Sequence, residues 1–437
     1  MDEKLLKKIL SGQKMHIELP FGKGTVPLDV PDGNLLEIAL PKEYIQPRQH
    51  EQMIQEALQN PLGTDRLSTM VGPGETVAIV IDDYTRPCPT KTILPPVLEE
   101  LKLAGVNDLD ILIIIAAGTH CPPSADVIKD LVGDKIFRNY MIISNDAVNG
   151  DYVKIGRTKR GNDLEVLREY VEADFKILLG DIEYHYFAGF GGTRKSILPG
   201  ISSKNTIQRN HSLLFEKHSS MGQLKENPIN QEMNEAMHLA GCDFALNVVQ
   251  NSHHRIVGAW AGNPELVMDA GVKLVDSMYK KEISEAAEIV ITAANGHPHD
   301  INLYQAMKAM YTACQVVKPQ GVIILVAQCP QGHGSQLYID WLKKYKTSQE
   351  IQKALQDNFV IGAHKAYYHR ITIENHPVIL VSEMESPEVT ELFGFIKEKT
   401  PEAALAKAFS ISGDHARVLV VPQGTTTFLT IKKSEMR

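Results

Sequence analysis

The chain has 437 residues, 43% hydrophobic and 22% charged, and carries a net charge of −8. That length suits two or three domains with sizeable cores, and the acidic balance excludes a nucleic-acid partner because no basic surplus remains to neutralise phosphates. No positive segment leads into an apolar stretch at the start, no apolar run nears ~20 residues, and the five scattered cysteines (Cys88, Cys121, Cys242, Cys314, Cys329) form no CxxC pair, so the expectation is a cytoplasmic protein without signal peptide, membrane span, disulfide framework or zinc ribbon.

Alternating runs at 15–19 and 25–28 flank a glycine-containing turn and predict a β-hairpin. Residues 47–60 read as a helix. Val77-Ala78-Ile79-Val80-Ile81 is wholly apolar, as for a strand buried on both faces. A helix is expected near 91–104, then strands at 109–117, 140–144, 175–179 and 244–249. A short charged helical stretch near 277–285 precedes a second series. It comprises strand 288–293, helix 302–317, strand 321–327, helices at 335–357 and 400–409, and strands at 378–381, 418–421 and 427–431. The alternation predicts an α/β fold of two domains, 1–280 and 281–437, with mainly parallel sheets flanked by helices and a last strand that packs back on the first domain.

Polar clusters stand just after the apolar strands: Asp82-Asp83-Tyr84-Thr85-Arg86-Pro87, Gly118-Thr119-His120, Gly180-Asp181-Ile182-Glu183-Tyr184-His185 and Asn295-Gly296-His297-Pro298. Open α/β sheets bind ligands at the carboxyl ends of their strands. Four such clusters therefore predict one shared site in the interdomain cleft. The densest segment, residues 185–200, places four glycines within twelve residues, which permits close backbone approach and positive φ angles. It is not a nucleoside-triphosphate P-loop, since Arg194 stands where that pattern needs glycine before the lysine. Anion contact from its backbone N–H groups stays open, as does a simple packing turn.

His120 and His185 are candidate acid–base groups, because histidine titrates nearest neutral pH. Inverting a stereocentre needs chemistry on both faces of one carbon, which a pair of imidazoles on opposite walls supplies. Arg86 and Lys308 are candidate carboxylate binders. Asp83 either orients Arg86 or bonds a cofactor group. His211, alone, makes a poor conventional metal site, and His297 and His299 are explained equally well by a polar turn.

In this order, the Asp82–Pro87 run, Gly118-Thr119-His120, residues 185–200, His211 and Tyr304-Gln305-Ala306-Met307-Lys308 resemble the nickel-pincer lactate racemase family. The similarity spans most of the chain, including the ten-residue step from His185 to Lys195 and the sixteen-residue step to His211. The resemblance implies a pyridinium mononucleotide bearing two sulfur-containing arms (pyridinium-3-thioamide-5-thiocarboxylic acid mononucleotide), joined through a thioamide to Lys195. It implies nickel held by that cofactor and by His211, an acid–base pair in His120 and His185, substrate contacts from Arg86, Gln305 and Lys308, and cofactor contacts from Asp83, Arg86 and Tyr304. It further implies that 1–280 carries the cofactor attachment and that enzymes building the cofactor are partners. The implied reaction moves the C2 hydrogen of a small 2-hydroxy acid as hydride, because that hydrogen is hardly acidic; the cofactor carries the hard chemistry. The only tryptophans, Trp260 and Trp341, do not fall where the family's pocket tryptophan is expected, which leaves the identity of the acid open.

Two alternatives accompany this reading. A cofactor-independent two-base racemase would draw on Cys121 beside His120 or Cys88 near Arg86. A non-catalytic protein would merely bind a hydroxy acid or nickel. An ordinary NAD dehydrogenase is disfavoured, since no GxGxxG follows any predicted strand.

Overall fold

The computed structural model describes residues 13–42, 44, 48–385 and 387–432. Strands β1 (Lys14–Phe21) and β2 (Gly24–Pro31) form the expected antiparallel hairpin, closed at Gly22 with φ 56°. Alternation puts Ile17, Leu19, Leu28 and Val30 on one buried face. β3 (Leu35–Ile38) follows.

The stretch 43–278 is one compact unit. It begins with α1 (His50–Gln59); the expected helix start at 47 lies outside the described residues. Then come β4 (Val77–Asp82), α2 (Thr90–Leu103), β5 (Ile111–Ala116) and β6 (Met141–Ser144). A small hairpin of β7 (Tyr152–Arg157) and β8 (Asp163–Leu167) precedes β9 (Phe175–Asp181). The two-residue pair β10 (Tyr184–His185) and β11 (Gly189–Phe190) leads to α3 (Lys204–Ser212), α4 (Pro228–Ala240), β12 (Phe244–Gln250), β13 (Ile256–Gly262) and α5 (Pro264–Tyr279). The sheet order is β13-β12-β9-β4-β5-β6, parallel except for β13. β4 and β9 are buried along nearly their whole length, which is why β4 reads as an apolar run and β9 as one around Lys176.

The second unit combines residues 1–42 with 279–437. After β14 (Lys280–Ile283) it runs β15 (Ala287–Ala293), α6 (Leu303–Cys314), β16 (Val317–Val326), α7 (Gln336–Lys344), α8 (Ser348–Asp357) and α9 (His364–Asn375). β17 (Val378–Val381), β18 (Ile396–Glu398), α10 (Pro401–Ser412), β19 (Val418–Val421) and β20 (Phe428–Ile431) complete it. Its sheet order is β18-β17-β16-β15-β19-β3, all parallel.

Four expectations change. The single cut near 280 does not describe the units, because β3 pairs with β19 and the hairpin's Leu19 and Leu28 pack with Ile291, Ile324 and Val420. The last strands stay within that same unit, β19 beside β15 and β20 beside β14. The charged stretch near 277–285 is the end of α5 followed by a strand, its edge backbone groups taken by β20. The long helix at 335–357 breaks at Thr347, whose side chain and Glu350 form a capping box that starts α8.

Candidate active site

In unit 43–278 the chain passes from β4 to β5 and β6 on one side, while β9 and β12 lie on the other. Neighbouring strands whose connections diverge leave a crevice at their carboxyl ends. β4 ends at Asp82 and β9 at Asp181, so this crevice is where Asp83, Arg86, Glu183 and His185 begin. His120 follows β5, the next strand along.

Asp83 is 2% exposed. Its Oδ2 lies 2.7 Å from Nδ1 of His120, and Thr85 Oγ1 donates to both of its oxygens at 2.9 and 3.0 Å. Burial alone would raise the Asp83 carboxyl; the His120 bond and charge and the Arg86 charge outweigh it and hold the group below its ordinary value. An ionised carboxylate only accepts. His120 Nδ1 therefore donates, and the neutral ring keeps its lone pair on Nε2. Arg86 stands farther off, Nε 3.9 Å from Asp83 Oδ1, so Asp83 serves His120 more closely than Arg86.

The glycine-rich segment owes its shape to close packing. Gly189 has φ 81°, and a Cβ there would meet the Gln223 carbonyl at 2.0 Å. Gly192 has φ 90° and faces Ile182 and Asn247 in the same way. Thr193 sits at φ 38°, its N–H donating to Asn247 Oδ1 at 3.0 Å; strain of this kind collects at functional sites. Arg194, 1% exposed, turns inward. Its guanidinium donates to Asn230 Oδ1 and to the carbonyls of Phe190, Gly191 and Gly192. These are neutral acceptors, so burial drops its pKa to about 9. Arg194 ties the loop together and leaves Lys195 to face the crevice.

Burial, then Arg86, lowers the Lys195 ammonium to about 7, against the pull of Glu183, Asp82 and Asp181. The free amine is thereby favoured well beyond what an exposed lysine shows. Burial raises Asp82 above its ordinary value and Asp181 well above it, where Glu183 and Asp82 add like charge. His211, on the last turn of α3 and 8% exposed, is pushed to about 3 by burial and then by the Lys195 charge. It stays neutral. The buried Phe187 ring meets His211 edge-on at 5.1 Å and His185 at 4.5 Å. His185 accepts the Ala188 N–H on Nδ1 at 3.2 Å, which places the proton of the neutral ring on Nε2. Asp83, Arg86, His120, Lys195, His211 and His185 are thus linked within one unit.

Tyr304, Gln305 and Lys308 belong to the other unit, on α6, which leaves the carboxyl end of β15. They form its half-buried face, while Leu303, Ala306, Met307, Ala309 and Met310 are buried. The helix start is closed by protein acceptors. Leu303 N donates to Gly332 O, Tyr304 N to His333 O and Gln305 N to Asn302 Oδ1 at 3.0 Å. Lys365 on α9, 4% exposed, donates to the Tyr304 carbonyl at 2.5 Å, with Nζ 3.8 Å from the Tyr304 ring centroid.

Sequence reasoning gave no role to Asp181, Glu183, Phe187 or Lys365. Asp181 and Glu183 stood in a quoted strand-end cluster, which was the available signal; Lys365 carried none. Among the described residues, Asp82, Cys88 and Asp181 are the one group of three metal-capable side chains within 4.8 Å of one another. The adjacent charges of Arg86 and Lys195 oppose a cation there, and the Cys88 thiol is pushed well up by burial and the two carboxylates. His297 and His299 join no such group; the His297 N–H donates to the Gly22 carbonyl in a turn. No helix among the described residues is long and apolar enough to cross a membrane.

Residues 21–222 match the family model for the lactate racemase N-terminal domain, and residues 283–429 that for the lactate racemase C-terminal domain. The lactate racemase of Thermoanaerobacterium thermosaccharolyticum is 33% identical over 426 residues, covering 95% of this chain and 100% of that protein. The lactate racemase of Lactiplantibacillus plantarum is 31% identical over 426 residues, covering 93% and 98%. The solved lactate racemase apoprotein from T. thermosaccharolyticum matches this structure with a TM-score of 0.86 over 95% of this chain and 100% of the other. A protein from Thermotoga maritima shares the fold at 18% identity, with a TM-score of 0.63 over 90% of this chain and 100% of its own.

Proposed function

Because this chain belongs to the lactate racemase family, we propose that it racemises a small 2-hydroxy acid, lactate first, by hydride transfer with a nickel-pincer nucleotide anchored on Lys195. The observation that carries the proposal is the placement of Lys195 beyond the ends of β4 and β9, its ammonium disfavoured by burial and Arg86, within electrostatic reach of the buried His211 imidazole.

Those two groups fit the cofactor chemically. Forming a thioamide consumes a free amine, and Lys195 offers one; a metal takes a neutral imidazole, and His211 is neutral. With the other nickel ligands coming from the cofactor, one protein nitrogen suffices. When bound, the group supplies an electron-poor ring that accepts and returns the C2 hydrogen as hydride.

The chain's residues do the rest. Within the unit that carries Lys195, Arg86 binds and orients the substrate carboxylate. His120 Nε2, with its lone pair set by Asp83, takes the hydroxyl proton as the C–H bond breaks. His185 presents Nε2–H and steadies the oxygen on the other face of the planar keto acid. Asp83 thereby acts on His120 rather than on a cofactor group. The thiol-based alternative gains nothing from Cys88, whose burial disfavours the thiolate.

The test is co-expression with enzymes that build the cofactor, followed by intact mass, peptide mapping and metal analysis. We expect a modified Lys195 peptide, one nickel per chain, and loss of both nickel and racemisation in Lys195→Ala. With C2-deuterated lactate, the deuterium stays on C2 in the product. An unmodified Lys195 in fully active protein, or washout of deuterium into solvent, overturns the proposal.

A further inference from the structure

α3, which carries His211, has little apolar surface to hold it in place. Its buried side chains are Thr206, Ile207, Asn210 and His211, three of them polar. Hydrophobic contact is non-directional, so one isoleucine fixes neither the rotation nor the register of this helix. Hydrogen bonds, which are directional, do so instead. Asn210 Nδ2 spends both protons on α4, donating to Glu232 Oε2 at 2.9 Å and to the Ile229 carbonyl at 3.3 Å. Asn162, in the turn between β7 and β8, donates from Nδ2 to the Thr206 carbonyl of α3 and to the same Oε2, both at 3.1 Å. Thr158 donates to Oε1 at 2.8 Å.

Glu232 is 2% exposed, and these three donors are uncharged. Burying a carboxyl group costs more than burying a leucine, so packing alone does not account for it. The start of α4 also reaches the segment that holds Lys195. Asn230 Oδ1 accepts from Arg194 Nε at 2.5 Å, one residue before Lys195. Residues 230 and 232 of one helix therefore grip the chain neighbours of Lys195 and of His211. We propose that Glu232 is a positioning residue for His211: through Asn210 it fixes α3 against α4, the helix that also holds the Lys195 segment through Asn230 and Arg194. The proposal rests on the reading of Lys195 as the cofactor anchor and His211 as a nickel ligand. An imidazole whose helix is pinned in this way is already in place for the metal, so nickel leaves it more slowly.

The experiment uses cofactor-loaded protein carrying Glu232→Leu, Glu232→Gln, Asn210→Ala or Met233→Ala. Nickel loss to a chelator is timed by metal analysis. The mass of the Lys195 peptide shows that the cofactor is still attached, and melting temperature is read on unloaded chain. Glu232→Leu strips two buried amides of their shared acceptor, and nickel should leave about ten to a hundred times faster than from wild type. Asn210→Ala cuts the same tie from the α3 side and should speed the loss about tenfold. The double variant should lose nickel no faster than Glu232→Leu alone. Glu232→Gln still offers one oxygen to both amides and should stay within about threefold of wild type. Met233, fully buried on α4, makes none of these hydrogen bonds; Met233→Ala opens a cavity and lowers the melting temperature, yet its nickel should leave at the wild-type rate. Wild-type rates in both Glu232→Leu and Asn210→Ala overturn the proposal. So does nickel loss that merely follows melting temperature across the variants, Met233→Ala included. If Glu232→Leu does not fold, Asn210→Ala decides. Wild type that binds no nickel, or whose Lys195 stays unmodified, overturns the cofactor reading itself; a loaded wild type with unmoved variants overturns the role of Glu232 alone.

Discussion

The two six-stranded sheets both carry polar residues beyond the carboxyl ends of their strands, yet they handle charge in opposite ways. Beyond β4 and β9, Asp82, Asp83, Asp181 and Glu183 surround Arg86 and Lys195, so positive and negative groups tune one another. On α6 and α9, the buried Lys365 instead rests on the Tyr304 carbonyl and ring face. The first arrangement sets proton positions: a lysine driven toward its free amine and a histidine fixed in one tautomer. The second sets packing, a buried amine tying α9 to the backbone and ring of Tyr304 on α6. Reactive groups need charged neighbours to set their protons, whereas a tie between helices needs only neutral acceptors.

The comparison breaks if the first site's residues turn out to govern binding and the second's govern chemistry. Its largest test is Asp83→Asn. An amide no longer forces the proton of His120 onto Nδ1, so kcat should fall about a hundred- to a thousandfold with KM little changed. Steady-state kinetics on loaded enzyme checks this, and a dominant KM effect would contradict the assignment.

A second test reads Lys195 directly in unmodified chain. Its labelling by a small acylating reagent, followed by peptide mass, should show a midpoint near pH 7, set by the folded pKa of about 7. Arg86→Met removes a neighbouring positive charge, so the midpoint should move up by roughly one unit; Lys365→Met should leave it in place. The same shift has a sign for stability. The unfolded chain holds a proton that folded Lys195 has shed, so the unmodified protein gains stability as pH rises from about 7 toward the ordinary lysine value.

The smallest effect is expected from Asn302→Ala, which removes the cap of α6. It should lower stability by about 1 kcal/mol in urea unfolding while leaving the Lys195 labelling midpoint unchanged.

Much of this architecture was legible in the sequence because parallel strands buried on both faces are written as unbroken apolar runs. β4, β17 and β19 announce themselves in this way, and β9, β12 and β15 do so around Lys176, Asn247, Glu288 and Thr292. β18 does not, since its Ile-Lys-Glu is half-buried at a sheet edge. Nor do α4 and α9, whose polar positions are buried by tertiary partners: Glu232 by Thr158 and Asn162, His369 by Tyr338 and the Phe393 carbonyl. The same distinction holds for the site. Lys195, His211 and the paired histidines stand in motifs with fixed spacing. The charges that surround Lys195 come from the ends of two strands far apart in sequence, and Lys365 meets Tyr304 only because α9 packs beside α6. Spacing records local geometry; it does not record which distant strand end arrives alongside.

The division of the chain also fixes an order of assembly. Asn34, just ahead of β3, hydrogen-bonds to the carbonyls of Asp414 and Ala416, 380 and 382 residues later. At ribosomal speeds of about 5–20 residues per second, the opening strands wait on the order of 20–75 s for their neighbours to be made. Residues 43–278 are complete long before that. The lysine-bearing half is thus an insert that can reach its folded form during synthesis, while β3 remains an unclaimed edge until β19 emerges. A truncation that removes β19 would accordingly strand β3 near the start of the chain as well.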